Sequence, residues 1–394
     1  MKVFFRRIHL YLSLAAGAVI LIACLTGAIL VFEKDLQMAL NKKRYYVEPT
    51  GQRLPVDQLV QKAKAAYPAA KVNTVKMYSD PERSVELNVT MAAKGKEGEA
   101  KPAAAPQAQP AKGRQPGFTL FVNPYSGEVL EKYSYRETFF YTVFALHRWL
   151  LGGEGSIGKY IVGISTLIFL FILITGIILW WPKTRKVLVQ RLNIKWDAGW
   201  KRLNHDLHIV LGFYSAIFLF VFAFTGLAWS FEWFNKGIYQ VTSSPMKAPP
   251  PPSSVLVADA NRISLEQALA KAQTIHQNAV FYTITQPKDS VEVFQVSALR
   301  TGALHESATD AVYIDQYAGT VAGQLRFEDR SLGAQVRSSF KPVHTGSIGG
   351  TPTKIIAFVT CLFGVSFPVT GVIMWINRTR KKKKSVRLPQ TEAV

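Results

Sequence analysis

Hydrophobic and polar positions alternate along the chain in two distinct patterns. Residues 10–32, 160–181, 209–231 and 355–377 are apolar runs without a single charged residue. Each is close to the ~20 residues a helix needs to cross the hydrocarbon core of a bilayer. They are too long and too uncharged for buried core helices, so they predict four spanning helices. Between the first and second runs, and again between the third and fourth, the period changes. "LPVDQLVQKAKAAYP" (Leu54 to Pro68) has helical spacing, and the alternating "SVELNVTM" and "FTLFVNPYSGEVLEKY" after it read as strands, with Ser-Gly marking a turn. "ISLEQALAKAQTIHQ" (Ile263 to Gln277) is followed in the same way by "SVEVFQVSAL" and "AVYIDQYAGTVAGQL". Each stretch predicts a small α+β module outside the membrane.

These patterns occur twice. His9 precedes Thr26 by seventeen residues, and His208 precedes Thr225 by the same interval. The second and fourth runs end alike, in "ITGIILWWPK" and "VTGVIMWINR", each with Trp and a basic residue where a helix leaves lipid. The predicted fold is therefore a membrane α-helical one: a four-helix transmembrane bundle of two pseudo-twofold-related halves, with two external α+β modules. The segments expected are 1–32, the first span; 33–136, the first module; 137–182, a histidine segment and the second span; and 183–204, a cytoplasmic loop. Then come 205–232, the third span; 233–335, the second module, entered through the stiff "APPPPSS"; 336–377, a histidine segment and the fourth span; and 378–394, a basic tail. Within the first module, residues 92–117 are an Ala/Pro/Lys/Gly insertion expected to be disordered, since it cannot bury a core.

Charge adds an orientation. The formal net charge is +21, and the residues before Ile8, the loop from Pro182 to Asn204 and the tail from Arg378 hold 17 Lys+Arg against 2 Asp+Glu. The rest of the chain holds 30 against 24. By the positive-inside rule both termini are cytoplasmic and the two modules face outward. "RTRKKKKSVR" then reads as a topology anchor with affinity for anionic lipid, not as a nucleic-acid site. The first run is too long for a cleaved signal peptide, and Glu33-Lys34-Asp35 stand where small residues would precede a cleavage site. Cys24 and Cys361 both fall in spans and read as small packing residues. No CxxCH is present, which excludes covalent c-type haem attachment.

Four of the seven histidines form equivalent couples: His9 with His208 at the cytoplasmic ends of the first and third spans, and His147 with His344 outside the second and fourth. Two imidazoles converging from opposite sides are what a flat macrocycle with an axial iron requires. An interfacial histidine is by itself only a polar tip, and Thr-Gly in a span only a packing notch. The matched positions favour two bis-histidine haems, with His9, His208, His147 and His344 as axial ligands. Gly17, Gly152, Gly212, Gly346, Gly349 and Gly350 would let backbone approach a porphyrin. His205 reads as an interface residue or a donor behind the ligands; His276 and His305 read as surface residues. Zinc fits less well, for lack of closely spaced ligands such as HExxH. With both axial positions filled, such an iron suits electron transfer, and two haems on opposite membrane sides make a wire. With no nucleotide or flavin motif in the chain, the electron donor is a quinol or a separate cytoplasmic reductase.

"RRIHLYLSLAAG", "FALHRWLLGG", "LNHDLHIVLGFYSAIF", "VHTG" and the two Thr-Gly…Trp endings, together with the paired external modules, resemble the PepSY-associated transmembrane family over nearly the whole chain. That resemblance implies an iron-regulated bacterial inner-membrane protein with PepSY-like modules, similar to ferric-siderophore reductases: b-type dihaem enzymes that reduce Fe(III)-siderophore in the periplasm and release Fe(II). The family's haem-ligand positions fall on His9, His208, His147 and His344. Some relatives carry a fused flavoprotein reductase domain that this sequence lacks. The expected partners are a periplasmic ferric siderophore, the electron donor and membrane lipid, with the chain acting as a monomer and binding no nucleic acid. The rival readings are a membrane-anchored PepSY binding or inhibitory protein and a siderophore or iron transporter.

Overall fold

The computed structural model describes residues 1–91, 117–256 and 261–384, without the side chains of 381–384. The insertion expected at 92–117 lies outside the described residues except for Gly117, as does the end of the basic tail. In chain order the helices and strands are α1 (Lys2–Val31), α2 (Glu33–Leu40), α3 (Lys42–Tyr45), α4 (Val56–Ala66), β1 (Ala70–Tyr78), β2 (Val85–Met91), β3 (Phe118–Val122), β4 (Val129–Tyr133), α5 (Phe139–Trp149), α6 (Ile157–Trp180), α7 (Arg185–Leu192), α8 (Trp200–Ser230), α9 (Glu232–Val241), α10 (Leu265–Ile275), β5 (Ala279–Thr285), β6 (Phe294–Arg300), β7 (Asp310–Ile314), β8 (Val321–Leu325), α11 (Leu332–His344) and α12 (Thr351–Lys384). They divide into two units, one of Met1–Glu33, Phe139–Ser244 and the chain from Val336 on, the other of Lys34–Thr138 and Pro245–Gln335.

In the first unit α1, α6, α8 and α12 are long and apolar enough to cross a membrane. α1 and α8 each pack against both α6 and α12, which sets α1 and α8 on one diagonal of a four-helix bundle. Ala16, Ile20 and Cys24 of α1, Phe169 and Ile172 of α6, and Leu219, Ala223 and Leu227 of α8 fill the buried seam. Small residues bring the backbones together: a methyl added at Gly364 would stand 2.6 Å from the Cys24 sulfur. Three of the helices outrun their apolar runs. α1 starts at Lys2, α8 at Trp200, and α12 continues to Lys384. Polar residues do not stop a helix whose carbonyls are satisfied internally, and the Arg202–Asp206 pair, 2.8 Å apart at i,i+4, braces the first turns of α8.

In the second unit the strands of the two predicted stretches do not form separate sheets. They make one antiparallel sheet of order β4-β3-β2-β1-β5-β6-β7-β8, which reads the same from either edge. The seam is the β1–β5 ladder, from Thr74 opposite Thr285 to Tyr78 opposite Phe281. One face is apolar at every second residue. Val75, Leu87, Leu120, Ile284, Val296 and Val312 are fully buried there against Leu59 of α4 and Ala268 and Ala272 of α10. Each large side chain so buried contributes about 1.5–3 kcal/mol. The two helices also cap each other: the Asp57 carboxylate accepts the N–H groups of Leu265 and Glu266 at 3.0 Å, and Glu266 accepts that of Val56 at 2.7 Å. These are otherwise unpaired first-turn donors. The two outer hairpins are built alike, since Asn123 and Asp315 each accept two N–H groups of their own turn, and Gly127 and Gly319 supply the positive φ that closes it.

His276 and His305 are not surface residues. His305 is 5% exposed beside Phe327, and the His276 ring packs 3.8 Å from the buried Asp310 carboxylate. His305 Nδ1 accepts the Ser307 N–H at 3.2 Å, and both rings are covered by the segments around β7, an arrangement without any local pattern.

Candidate functional site

Four Thr-Gly pairs occur in the long helices, one in each: Thr26-Gly27, Thr175-Gly176, Thr225-Gly226 and Thr370-Gly371. Each receives one histidine. His9 Nδ1 lies 3.0 Å from Thr175 Oγ1, His208 Nδ1 2.8 Å from Thr370 Oγ1, His147 Nδ1 3.0 Å from Thr26 Oγ1 and His344 Nδ1 3.1 Å from Thr225 Oγ1. The glycine beside each threonine leaves room for the ring. A methyl added at Gly226 would come within 3.2 Å of His344 Cε1, and at Gly27, Gly176 and Gly371 within 3.5, 3.4 and 3.6 Å of the corresponding Cε1 atoms. The Thr-Gly pairs are thus histidine seats, not only packing notches.

This arrangement fixes which ring nitrogen carries the proton. Each threonine hydroxyl donates its single hydrogen to a carbonyl of the preceding turn: Thr26 to Ile22, Thr175 to Phe171, Thr225 to Val221 and Thr370 to Ser366, at 2.6–2.9 Å. With that hydrogen committed, the oxygen can only accept, so the imidazole donates from Nδ1–H. For His147 and His344 a second acceptor forces the same tautomer, the carbonyls of Ala23 at 3.0 Å and Phe222 at 2.9 Å. A neutral imidazole with Nδ1 protonated presents a bare lone pair at Nε2, the form that binds a metal.

The structure also brings the rings of His147 and His344 together. Their centres are 6.2 Å apart with planes at 65°, one ring carried by α5 seated on α1, the other by α11 seated on α8. Burial, reinforced for His147 by the neighbouring His344 charge, pushes the two pKa values down, to about 3 for His147 and about 4 for His344. Both rings therefore remain neutral at physiological pH. His9 and His208 sit on the diagonal helices α1 and α8, with His9 seated on α6 and His208 on α12. Seventeen residues of α1 separate His9 from Thr26, so the two couples are roughly 25 Å apart along the bundle at 1.5 Å per residue.

Other expected site residues lie elsewhere. His205 Nδ1 turns to the buried Asp206 at 3.3 Å, with the ring half exposed, and joins neither couple. A methyl at Gly152 would strike Ser156, and at Gly346 or Gly349 it would strike Thr353 or Ala357 of α12, so these glycines serve close local packing, and Gly346 and Gly350 have a positive φ. Gly17 and Gly212 do face the bundle interior, near Pro368 and Phe367. Among the described residues no three His, Cys, Asp or Glu side chains gather into a metal-binding cluster.

No curated protein matches the chain at a significant level. The model of the PepSY-associated TM region matches residues 6–378, and with nearly the whole length covered, the chain belongs to that family.

Proposed function

We propose that the protein is an inner-membrane b-type dihaem oxidoreductase, carrying electrons from a quinol or a cytoplasmic reductase to a ferric siderophore on the opposite side. His147 with His344 would hold one haem and His9 with His208 the other. The observation that carries this reading is the 6.2 Å between the His147 and His344 ring centres. A metal–nitrogen bond of about 2 Å, with a further ~1 Å from nitrogen to ring centre on either side, requires roughly 6 Å. Support also comes from the Nδ1 anchors, which leave both Nε2 atoms bare, and from the sheet order, which reads as two pseudo-twofold-related PepSY-like modules joined at β1–β5.

His147 and His344 would hold a haem through their Nε2 atoms, and the group would supply one-electron transfer there without taking substrate at iron. The chain's part is to hold both axial rings neutral and fixed in direction, to keep water from the couple, and to space the two sites along the bundle. One electron per Fe(III) yields Fe(II), which a hard-oxygen chelate holds less tightly. A two-electron quinol supplies two such reductions and releases two protons. By the positive-inside rule the basic segments favour cytoplasmic termini and a periplasmic sheet unit.

The test is spectroscopic. Protein purified in detergent should carry two haems per chain with a Soret band that sharpens on dithionite. When the reduced protein is mixed with a ferric trihydroxamate, Fe(II) should appear in a ferrous-specific chelator as the haem reoxidises. A colourless protein would end the reading.

A further inference from the structure

Two arginines beside the His147–His344 couple have no carboxylate partner among the described residues. Arg148 follows His147 on α5, and Arg337 lies seven residues before His344 on α11, two turns away and on the same face. Both are half-buried and converge on Trp229. Arg148 Nη2 donates to the Trp229 carbonyl at 3.3 Å, and the Arg337 guanidinium carbon stands 5.0 Å from the Trp229 ring centre. That ring in turn is 5.4 Å from the His344 ring. Arg337 Nε also donates to Asn235 Oδ1 at 2.6 Å.

Charge balance at this place is incomplete. Burial disfavours both guanidinium charges, and Arg337 adds repulsion at Arg148; Glu154 acts on Arg148 only from a distance, and Glu232 is taken by Lys236 at 2.7 Å. An arginine does not escape burial by losing its proton, because it stays charged at any physiological pH. Two adjacent half-buried cations are costly unless an anion joins them. Each guanidinium has five N–H donors, most of them without a partner among the described residues, in a planar fork that matches a carboxylate.

We propose that Arg148 and Arg337 bind the two carboxylates on the rim of the macrocycle held by His147 and His344. The assignment rests on the haem reading above and makes this end of the bundle selective for a dianionic porphyrin. The same chemistry could come from a carboxylate-bearing substrate, so the probe must distinguish the two.

The experiment uses the full chain in detergent, stripped of bound pigment and titrated with haem and with haem dimethyl ester, whose carboxylates are blocked. Wild type should take up two equivalents of haem, with the ester bound about tenfold or more weakly at one of the two sites. In Arg148→Gln/Arg337→Gln that preference should vanish, haem binding there no better than the ester. Arg148→Lys/Arg337→Lys should restore part of it. The His9–His208 site, reached by neither arginine, should keep its affinity and so report that the variants fold. Wild-type haem affinity at both sites in the glutamine variant overturns the assignment. So does an unchanged preference for haem over the ester. If the glutamine variant weakens only a ferric chelate, the arginines belong to the substrate instead. A wild-type chain that binds neither compound sinks the haem reading first, an outcome distinct from the others.

Discussion

Nδ1 of His208 and Oγ1 of Thr370 stand 2.8 Å apart, and among the described residues this hydroxyl is the ring's only hydrogen-bond acceptor. At the other end His147 divides its Nδ1–H between Thr26 and the Ala23 carbonyl. The two seats look alike but are unequally insured. Thr370→Val should leave the His208 N–H without an acceptor, whereas Thr26→Val leaves a carbonyl in place. Donation from Nδ1–H makes the imidazole a stronger electron donor and favours ferric iron. Thr370→Val should therefore raise the midpoint potential of the His9–His208 site. The loss of a hydrogen bond of about 1 kcal/mol corresponds to roughly 40–60 mV for a one-electron couple. Thr370→Ser should restore the potential, and Thr26→Val should shift its own site less. Redox titration followed in the Soret region measures all three. Equal shifts from Thr370→Val and Thr26→Val would mean that the hydroxyl is not what distinguishes the seats.

His147→Ala and His344→Ala each remove one half of the couple whose ring centres lie 6.2 Å apart. Either substitution should lower haem content from two per chain to about one, measured by pyridine haemochrome against protein mass. The His9–His208 couple, some 25 Å away along α1, is far enough for the effects to be independent. The double variant His147→Ala/His344→Ala should look like either single variant. A further drop in the double would mean that the two histidines do not serve one site.

The sequence made some of this legible. Four uncharged runs predicted the four long helices because lipid imposes a length that no other constraint imitates. The matching histidines were visible because both copies keep them. The threonine seats were hidden, since Thr175 lies 166 residues from His9 and Thr370 162 residues from His208. The available signal was that Thr-Gly occurs once in every long helix, while only four histidines recur at matching positions. The seam between β1 and β5 was equally hidden. Each stretch of strands pairs within itself, and nothing local marks which edge remains open for a partner. The burial of His305 and His276 depends on loops around β7 and on Asp310, so composition misplaced them. Arg148 and Arg337 passed unnoticed because an arginine next to a membrane helix ordinarily reads as an interface anchor.

The β7–β8 hairpin gives the sheet unit an acid-sensitive corner. Burial works against the Asp315 charge, but the N–H groups of Ala318, Val255 and Tyr317 outweigh it and hold the carboxyl below its ordinary value. The carboxylate form is the one these donors bind, so the folded state takes up protons less readily than the unfolded chain. Its contribution is fully present above the ordinary carboxylate pKa of about 3.9 and is lost as pH falls through the lower folded value. Asp315→Asn should cost about 1–3 kcal/mol near neutrality, through weakened turn donors and a partly unsatisfied buried group. It should also flatten the acid limb of the stability curve. Hydrogen exchange at the Tyr317 and Ala318 amides, followed from pH 6 downward, reads both effects. An acid limb in the variant as steep as in wild type would assign the sensitivity to another carboxylate.

The glycines of the four seats provide a graded test of how closely the rings are held. An added methyl meets His344 Cε1 at 3.2 Å from Gly226, His9 at 3.4 Å from Gly176, His147 at 3.5 Å from Gly27 and His208 at 3.6 Å from Gly371. The last is ordinary van der Waals contact, but the first requires the ring to yield by a few tenths of an ångström. Interiors this close-packed tolerate such shifts poorly. Gly226→Ala should therefore displace the His344 ring and weaken haem retention at the His147–His344 site. Gly371→Ala should be nearly silent, since helix propensity there even favours alanine. Gly176→Ala and Gly27→Ala, at ordinary contact distance as well, should perturb far less than Gly226→Ala. The measurement is the low-spin ferric electron paramagnetic resonance spectrum with haem stoichiometry. Gly226→Ala should stand apart from the other three variants; a Gly371→Ala effect as large as that of Gly226→Ala would show that the rings are not held by contact with these helices.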